Sequence, residues 1–481
     1  MKKILLISVA AFCLLIGSAK GQSIDLDKQM GAENSKAVET QMGIYDDEEM
    51  TAYFNKVGQK LVSHLENPLF KYQFKIVPDM SPNAFALPGG YIYITTGILP
   101  LLKSEDELAG IIGHEIIHSN NRHSIKQMKK SIVPHILEIP GNLVGVISKP
   151  VGDLVNAPIK VSNSLLLSSY SRKFETEADD YGVRLAAKAG YDPTTLPDVL
   201  KRMNEAIEVL TGNKEEKSYF SDHPYTPNRI ENLNKQFKEI TIVPSKNISP
   251  NFLYEFDGVM FGDSPSKGVV RDNEFLHPDL NFYIQFPEKW TVDNQSDAVN
   301  AYQPDGKAAA SLTIESEGLT PKEAGEKFLE KIDSKFKSNI TYAKEYVVNG
   351  KKGFLISFVE ESKHAKMYAY ILWLPQGNKV FKLLGVAPIE YQSDLEESAA
   401  SLRVLTKKEK SSIKENYISV VKAKKGETIK QLSKRTGNKL LLELTAVAND
   451  HTLSDKLKGG ELIKIVLDKP YVAKSRSILI L

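Results

Sequence analysis

Two histidines and a glutamate lie close together in residues 108–123, which read LAGIIGHEIIHSNNRH. His114, Glu115 and His118 form the pattern H-E-x-x-H. Residues four apart share one face of a helix, so His114 and His118 can both direct an imidazole nitrogen at one zinc ion, at about 2.0–2.1 Å. Glu115 follows one step around the helix, where it can take a proton from a metal-bound water. The pattern predicts zinc-assisted hydrolysis; a buried helix that merely carries two histidines is the alternative.

A catalytic zinc needs a third protein ligand and one open position. The candidates lie in residues 171–193, SRKFETEADDYGVRLAAKAGYDP, which have a helical composition. Glu175 and Asp179 are four apart and share a helix face, whereas Glu177 points away from both. We predict Glu175 as the ligand and Asp179 as a carboxylate that orients a ligand histidine. An ordinary solvated acidic face is the alternative.

Helices and a short sheet must position these side chains. Residues 22–70 carry apolar residues at helical spacing, and no proline interrupts the segment around H-E-x-x-H. Strands are predicted at 72–77 and 90–95, where YIYIT is rich in β-branched and aromatic residues. The chain therefore begins with a mainly α-helical domain with a small β-sheet, over residues 22–243.

Four motifs, in this order, resemble those of the zinc endopeptidases grouped with the CAAX prenyl endopeptidases, HtpX and BepA. H-E-x-x-H and S-R-x-x-E-x-E-A-D are the metal-binding pair. Residues 83–99 (NAFALPGGYIYITTGIL) are similar to the family's N-A-x-x-x-P-G-G strand, and residues 222–233 (DHPYTPNRIENL) are similar to its H-P-x-x-x-x-R-I segment. The resemblance covers roughly residues 40–240 and implies a gluzincin-type metallopeptidase domain.

The resemblance also implies how a substrate is held. In peptidases of this kind a strand beside the metal pairs with the substrate backbone and orients the scissile carbonyl. This role falls to Tyr91, Ile92, Tyr93 and Ile94. An edge strand with no ligand is the alternative.

His223 lies in a segment that the following Pro224 disfavours as helix. The resembling segment of BepA-like members places its histidine near the metal. This implies that His223 can fill the fourth position, displace the catalytic water and hold the enzyme latent. The alternative is that His223 caps a turn or bonds to the helix that carries Arg229.

Residues 124–169 contain several prolines among apolar residues, which excludes one continuous helix. They predict either a mobile lid or docking face for unfolded protein over the cleft, or segments that pack on the helical core. We interpret His123 and His135 as surface or packing histidines and not as ligands.

The chain has 481 residues, 42% of them hydrophobic and 25% charged, and its length suggests about three domains. The formal charge of +2 gives no argument for nucleic acid, and we expect no such partner. Residues 1–21 have the lysines, apolar run and small residues of a secretory signal peptide, which predicts export to the periplasm or outer envelope. The one cysteine, Cys13, lies within that run and follows Phe12. A lipoprotein site needs a small residue in place of Phe12, so we predict that Cys13 is not lipidated. No later run reaches the ~18 apolar residues of a membrane span.

A linker is predicted at 244–268, followed by an α+β domain at 269–406 with an antiparallel sheet and helices to one side. Its run F-x-H-P-x-x-x-F-x-I-x-F-P-x-x-W resembles PsbP/Mog1-like domains. We find no catalytic constellation in it. His277 is interpreted as a turn residue.

A second linker at 407–415 precedes residues 416–468, which resemble a LysM module of strand, two helices and strand, with a tail at 469–481. Thr428 is predicted to cap the first helix. LysM modules commonly bind peptidoglycan, but the lysine-rich composition favours anionic envelope surfaces, and a purely structural role is the third alternative. We expect that removal of the module leaves cleavage of a soluble substrate intact.

Together these features predict an exported zinc-dependent endopeptidase with one Zn²⁺ per chain, held by His114, His118 and Glu175, and with Glu115 as the base. The predicted substrates are unfolded or misassembled envelope polypeptides, as in protein quality control, with peptidoglycan as a further partner. Two alternatives are a non-catalytic peptidoglycan-binding protein with a structural zinc, and an enzyme that processes peptidoglycan stem peptides. The intact Glu115 argues against the first, because a structural site needs no base. Branched stem peptides pair poorly with a strand, which argues against the second.

Overall fold

The computed structural model describes residues 24–130, 170–212, 223, 227–241, 251–315, 318–332, 337–338, 340–361 and 366–473. The predicted signal peptide at 1–21, residues 131–169 of the predicted lid, and residues 474–481 of the tail lie outside the described residues. Within the described ranges, no helix is both long enough and apolar enough to cross a membrane.

The N-terminal region is mainly helical, as the sequence predicted. Its central helix is almost entirely buried, and it begins where Ser104 accepts a hydrogen bond from the backbone nitrogen of Glu107 at 3.2 Å. The other helices pack around it. In chain order, the helices are α1 (Asp25–Gln41), α2 (Glu48–Val62), the central α3 (Glu105–Asn120), α4 (His123–Lys130), α5 (Arg172–Lys188), α6 (Leu196–Thr211) and α7 (Pro227–Gln236).

A three-stranded sheet lies beside the central helix, with strands β1 (Gln73–Val77), β2 (Ala84–Leu87) and β3 (Tyr91–Thr95) in the order β1-β3-β2. β3 pairs with β1 on one side and with β2 on the other. The prediction that Tyr91 to Ile94 pair with a substrate is therefore wrong, because both backbone edges of β3 are already used. The strand at the sheet edge beside α3 is β2, whose Leu87 carbonyl accepts a hydrogen bond from Ser119 on α3.

The second region contains a seven-stranded sheet in which every neighbouring pair is antiparallel. A separate three-stranded sheet precedes it in sequence. The seven strands have the order β10-β11-β12-β13-β9-β8-β7. In chain order, the strands are β4 (Val269–Arg271), β5 (Glu274–His277), β6 (Phe282–Gln285), β7 (Thr291–Asn294), β8 (Ala298–Tyr302), β9 (Ala309–Ile314), β10 (Ile340–Val348), β11 (Lys351–Glu361), β12 (Lys366–Gln376) and β13 (Lys379–Pro388).

The seven-stranded sheet carries a helix on each face, contrary to the prediction that all helices lie to one side. Side chains alternate along β12, so Trp373 packs with α8 (Pro321–Lys331) while Leu372 faces α9 (Gln392–Ala400). The continuous apolar run YAYILWL at 368–374 indicates that both faces of β12 are covered, but not by which element. The prediction from sequence therefore placed one of the two helices on the wrong face of the sheet.

The last described region has the predicted order of strand, helix, helix and strand: β14 (Lys414–Lys422), α11 (Ile429–Thr436), α12 (Leu442–Ala448) and β15 (Leu462–Pro470), preceded by the short α10 (Lys407–Ser412). The predicted cap is confirmed, because Thr428 accepts a hydrogen bond from the backbone nitrogen of Gln431. We call residues 414–470 the βααβ module.

The βααβ module shares a hydrophobic core with the helical N-terminal region. Its Ile418, Leu444 and Val466 are buried in the same cluster as residues of α3 and α6. Lys464 is also buried at this junction, and its ammonium donates to the carbonyl oxygen of Leu102, just before α3. The two regions therefore depend on each other for the burial of apolar surface.

Residues 251–268, from the predicted first linker, also pack into this shared core. Phe252 and Phe256 belong to the buried cluster, within a short 3-10 helix. The backbone nitrogen of Met260 donates to the Tyr45 hydroxyl at 2.9 Å. This segment therefore fixes the start of the α+β domain to the helical region.

Candidate metal centre

Four buried side chains bring nitrogen and oxygen atoms together between α3 and α5: His114, His118, Glu175 and His223. Their candidate ligand atoms all lie within 4.8 Å of one another. The Nε2 atoms of His114 and His118 are 2.9 Å apart. Glu175 Oε2 lies 3.6 Å from His114 Nε2, and Glu175 Oε1 lies 3.3 Å from His118 Nε2.

This donor set fits a zinc ion. Zinc in proteins is most often tetrahedral with nitrogen and oxygen ligands at about 2.0–2.1 Å, and such ligands lie about 3.4 Å from one another. The separations among His114, His118 and Glu175 scatter around this value. Imidazole and carboxylate are also the ligand types that zinc prefers.

The contact between α3 and α5 places Glu175 opposite the two histidines. A Cβ atom on Gly182 would lie 3.0 Å from the backbone nitrogen of His114, and one on Gly113 would lie 3.0 Å from the carbonyl oxygen of Gly182. Glycine at these two positions favours the close approach of the helices, because a Cβ at either one would be tight against the opposite backbone. Glu175 lies two turns before Gly182 along α5 and therefore reaches the centre.

Asp179 and Arg229 hold the outer edge of His114. Asp179 Oδ1 lies 2.9 Å from His114 Nδ1, so the carboxylate can accept the proton of that nitrogen and leave Nε2 free to bind a metal. Arg229 on α7 binds Asp179 through two nitrogens, at 2.7 and 2.9 Å, and lies 3.3 Å from Glu175. No role at the metal centre was predicted for Arg229, although it stands in the R-I part of the downstream motif.

His123 lies against the outer edge of His118. Its Nδ1 is 3.2 Å from His118 Nδ1, and its ring stacks on Phe174 at a centroid distance of 4.6 Å. His123 is fully buried, so of the two predicted settings, surface or packing, the structure supports packing. Glu177 lies away from the four converging residues, as predicted, and contacts Asn121 and His123.

Glu115 and His223 lie on the remaining side of the centre, and both are buried. His223 Nδ1 is 3.2 Å from His114 Nε2 and 3.0 Å from Glu175 Oε1, so it occupies the fourth corner of the donor set. Its other ring nitrogen, Nε2, lies 3.6 Å from Glu115 Oε1. The predicted base and the predicted fourth ligand are thus in contact.

The electrostatics of the centre favour neutral rings at His114 and His118, a protonated ring at His223 and an ionised carboxylate at Glu175. Burial lowers the pKa of His114 and, further, that of His118, so both are neutral and can bind a cation without losing a proton. Burial opposes ionisation of Glu175, but His223 and His118 outweigh it and hold the Glu175 pKa well below its usual range. Burial also lowers the pKa of His223, but the charges of Glu175 and Glu115 outweigh it and raise this pKa to about 9. The two glutamates therefore stabilise the protonated ring of His223, which must release a proton before it can bind a metal.

Comparison with known proteins gives a match between the family model "Peptidase family M48" and residues 48–236. "Mitochondrial metalloendopeptidase OMA1" of Schizosaccharomyces pombe is 29% identical over 227 residues, which cover 46% of this chain and 64% of the relative. "Putative beta-barrel assembly-enhancing protease" of Vibrio cholerae is 25% identical over 245 residues, which cover 50% of this chain and 49% of the relative. The chain thus spans about half to two thirds of these relatives.

A solved structure also aligns with part of the chain. The solution structure of cyanobacterial PsbP from Synechocystis covers 28% of this chain and 95% of its own length, with 11% identity and a TM-score of 0.23. So low a score supports no conclusion about the α+β domain, and its likeness to PsbP/Mog1 stays a prediction.

Proposed function

We propose that this chain, whose residues 48–236 match the model of peptidase family M48, is a zinc-dependent endopeptidase. The observation that carries the proposal is the convergence of His114, His118 and Glu175, with Glu115 buried beside them. Three protein donors and a neighbouring carboxylate are the set that zinc hydrolases use.

Each residue of the centre has a role in peptide hydrolysis. A bound zinc ion would polarise the scissile carbonyl and lower the pKa of a bound water toward 7. Glu115 then accepts a proton from the attacking water and passes it to the leaving amine. Asp179 keeps the proton of His114 on Nδ1, so that Nε2 stays available as a donor.

We further propose that His223 regulates this centre as a fourth ligand. A catalytic zinc site keeps one position open for water or substrate, whereas four protein donors close it. The contacts of His223 with His114 and Glu175 support the closed arrangement, which is a latent form. Withdrawal of His223 opens the position and also frees Glu115 to act as a base.

For the substrate, we propose unfolded or misassembled polypeptides of the bacterial envelope. The support is the predicted signal peptide and the similarity to a protein named beta-barrel assembly-enhancing protease. Residues 84–87 of β2, the sheet edge beside α3, are the strand that we propose to pair with the substrate backbone, in place of β3. Binding of peptidoglycan by the βααβ module stays a proposal that rests on the LysM resemblance.

Hydrolysis of unfolded casein by a Glu115→Gln variant tests the proposal. We expect zinc content and thermal stability to match the wild type while hydrolysis is lost, because Glu115 acts as a base and does not bind the metal. Glu208→Gln, at an exposed glutamate on α6, is the matched control and should keep full activity. Chelator-sensitive hydrolysis by Glu115→Gln at the wild-type rate would exclude Glu115 from the mechanism. Absence of hydrolysis of any unfolded protein by both the zinc-loaded wild type and zinc-loaded His223→Ala would favour the structural-zinc alternative.

A further inference from the structure

The two histidines of the H-E-x-x-H pattern have different partners at their outer nitrogens. His114 Nδ1 faces the carboxylate of Asp179 at 2.9 Å, whereas His118 Nδ1 faces the imidazole of His123 at 3.2 Å. A histidine that binds a metal through Nε2 carries its proton on Nδ1 and must donate it. The partner of His118 is therefore a second, neutral ring and not a carboxylate.

The hydrogen atoms along this contact can be assigned by elimination. Since His118 donates from Nδ1, the Nδ1 atom of His123 must accept, and the proton of the His123 ring is on Nε2. That nitrogen faces the charge of Glu177 at 3.5 Å from Oε1, and the same oxygen accepts a hydrogen bond from Asn121 Nδ2 at 2.7 Å. One consistent direction of donation runs from His118 through His123 to Glu177.

The backbone is bent to make this contact. Along a continuous helix, a residue five positions after His118 would point about 140° away from it. The helix α3 instead ends at Asn120, and Arg122 has a φ of 58°, a left-handed conformation that is costly for a side chain of this kind. Arg122 pairs through two nitrogens with the fully buried Asp27, at distances from 2.6 to 3.1 Å, which stabilises the turn. The turn returns His123 to the edge of His118.

We infer that His123 and Glu177 are positioning residues that fix the orientation and tautomer of His118 through a relay of polar contacts, in which His123 accepts a hydrogen bond from His118 and the charge of Glu177 faces His123 Nε2. The relay acts on the metal only through His118, so it strengthens zinc binding without adding a ligand. The inference rests on the proposed function in one respect, namely that His118 binds the metal. Packing alone is the competing explanation, because His123 also stacks on Phe174.

Two substitutions at position 123 separate the relay from packing. His123→Phe keeps a ring of similar shape but removes the acceptor for His118. In His123→Asn, the amide oxygen stands near the place of Nδ1 and can accept the same proton, although the stacked ring is lost. The relay thus predicts that asparagine is the better replacement, and packing predicts that phenylalanine is.

The measurement is zinc affinity of the purified full chain, by competition with a chromophoric chelator at pH 7.5, with the visible spectrum of the Co²⁺-substituted protein as a second readout. We expect His123→Phe to bind zinc 10- to 100-fold more weakly than the wild type and to change the Co²⁺ spectrum, as for loss of other partners of metal ligands. His123→Asn should stay within a few-fold of the wild type. Equal affinity of His123→Phe and the wild type, or a larger loss for asparagine than for phenylalanine, would overturn the relay.

Glu177→Ala is a second variant that does not depend on repacking of the buried ring, because Glu177 is partly exposed. We expect a few-fold loss of zinc affinity, against no loss for Thr176→Ala at the exposed neighbouring position. Identical affinities for these two variants would exclude Glu177 from the relay. A wild-type chain that binds no zinc would overturn the relay and the proposed function together, whereas a tightly bound zinc in both wild type and His123→Phe would overturn the relay alone.

Discussion

Replacement of Arg202 by methionine should destabilise the helical region and its junction with the βααβ module. Arg202 is buried on α6 and forms an ion pair with Glu107 in the first turn of α3. It also donates to the carbonyl oxygen of Leu101, and its Nε lies 2.7 Å from Asp450 of the module. One side chain thus joins the first turn of α3, the residues just before that helix and the C-terminal module.

The expected loss follows from what remains after Arg202→Met. Removal of one partner from a buried ion pair typically costs about 3–5 kcal/mol, because the other charge is left buried. Glu107 still accepts a hydrogen bond from the backbone nitrogen of Lys103 at 2.7 Å, which favours the lower end of that range. The pair with Asp450, whose side chain is 44% exposed, adds less than about 1 kcal/mol. We therefore expect Arg202→Met to lower the free energy of unfolding by about 3 kcal/mol.

The assay is urea unfolding followed by two signals. Both tryptophans, Trp290 and Trp373, lie in the α+β domain, so their fluorescence reports on that domain, while circular dichroism at 222 nm reports chiefly on the helices. Arg202→Met should shift the circular dichroism transition to lower urea and leave the fluorescence transition nearly unchanged. Lys201→Met is the control, because Lys201 is exposed and its pair with Glu205 is worth about 0.5 kcal/mol or less. A loss below 1 kcal/mol for Arg202→Met, or equal losses for the two variants, would refute the reasoning.

Four further predictions concern the centre and the domains. His223→Ala should hydrolyse unfolded casein faster than wild type and bind zinc modestly more weakly, since three donors remain; a variant unchanged in both respects would show that His223 is not a gate. Glu175→Ala should be purified without zinc, whereas Glu177→Ala should be loaded at saturating zinc; metal analysis with the opposite result would refute the helix-face assignment. Deletion of residues 416–481 should lower the thermal stability of the helical region and also casein hydrolysis, because the βααβ module shares the hydrophobic core of that region. Equal sedimentation of the full chain and the truncated chain with peptidoglycan would leave the LysM resemblance a statement about fold alone. Burial lowers the pKa of His277 from 6.5 to about 4, so the stability that its neutral ring contributes is fully present above pH 6.5 and is lost as the pH falls toward 4. His277→Gln should therefore remove about 2 kcal/mol of the change in unfolding free energy between pH 7.5 and pH 5. Urea unfolding followed by tryptophan fluorescence measures this change, and an unchanged pH dependence would contradict the prediction.

The sequence determined those features of the protein that depend on the period of one element. His114 and His118 share a face because a helix repeats every 3.6 residues, and the same period separates Glu175 and Asp179 from Glu177. The cap at Thr428 is equally local, because it needs only a side chain three residues before a backbone nitrogen. The order of helices, sheet and βααβ module followed from such patterns along the chain.

Tertiary structure alone decided which elements meet. The central place of β3 depends on its pairing with β1 and β2, and alternation in YIYIT carries no information about its neighbours. His123 reaches His118 only through the turn at Arg122, and Arg229 reaches Asp179 across 50 residues of chain. The shared core of the βααβ module is a contact of the same kind. A periodic pattern shows that a face is buried, but the partner that buries it is chosen by packing between distant segments.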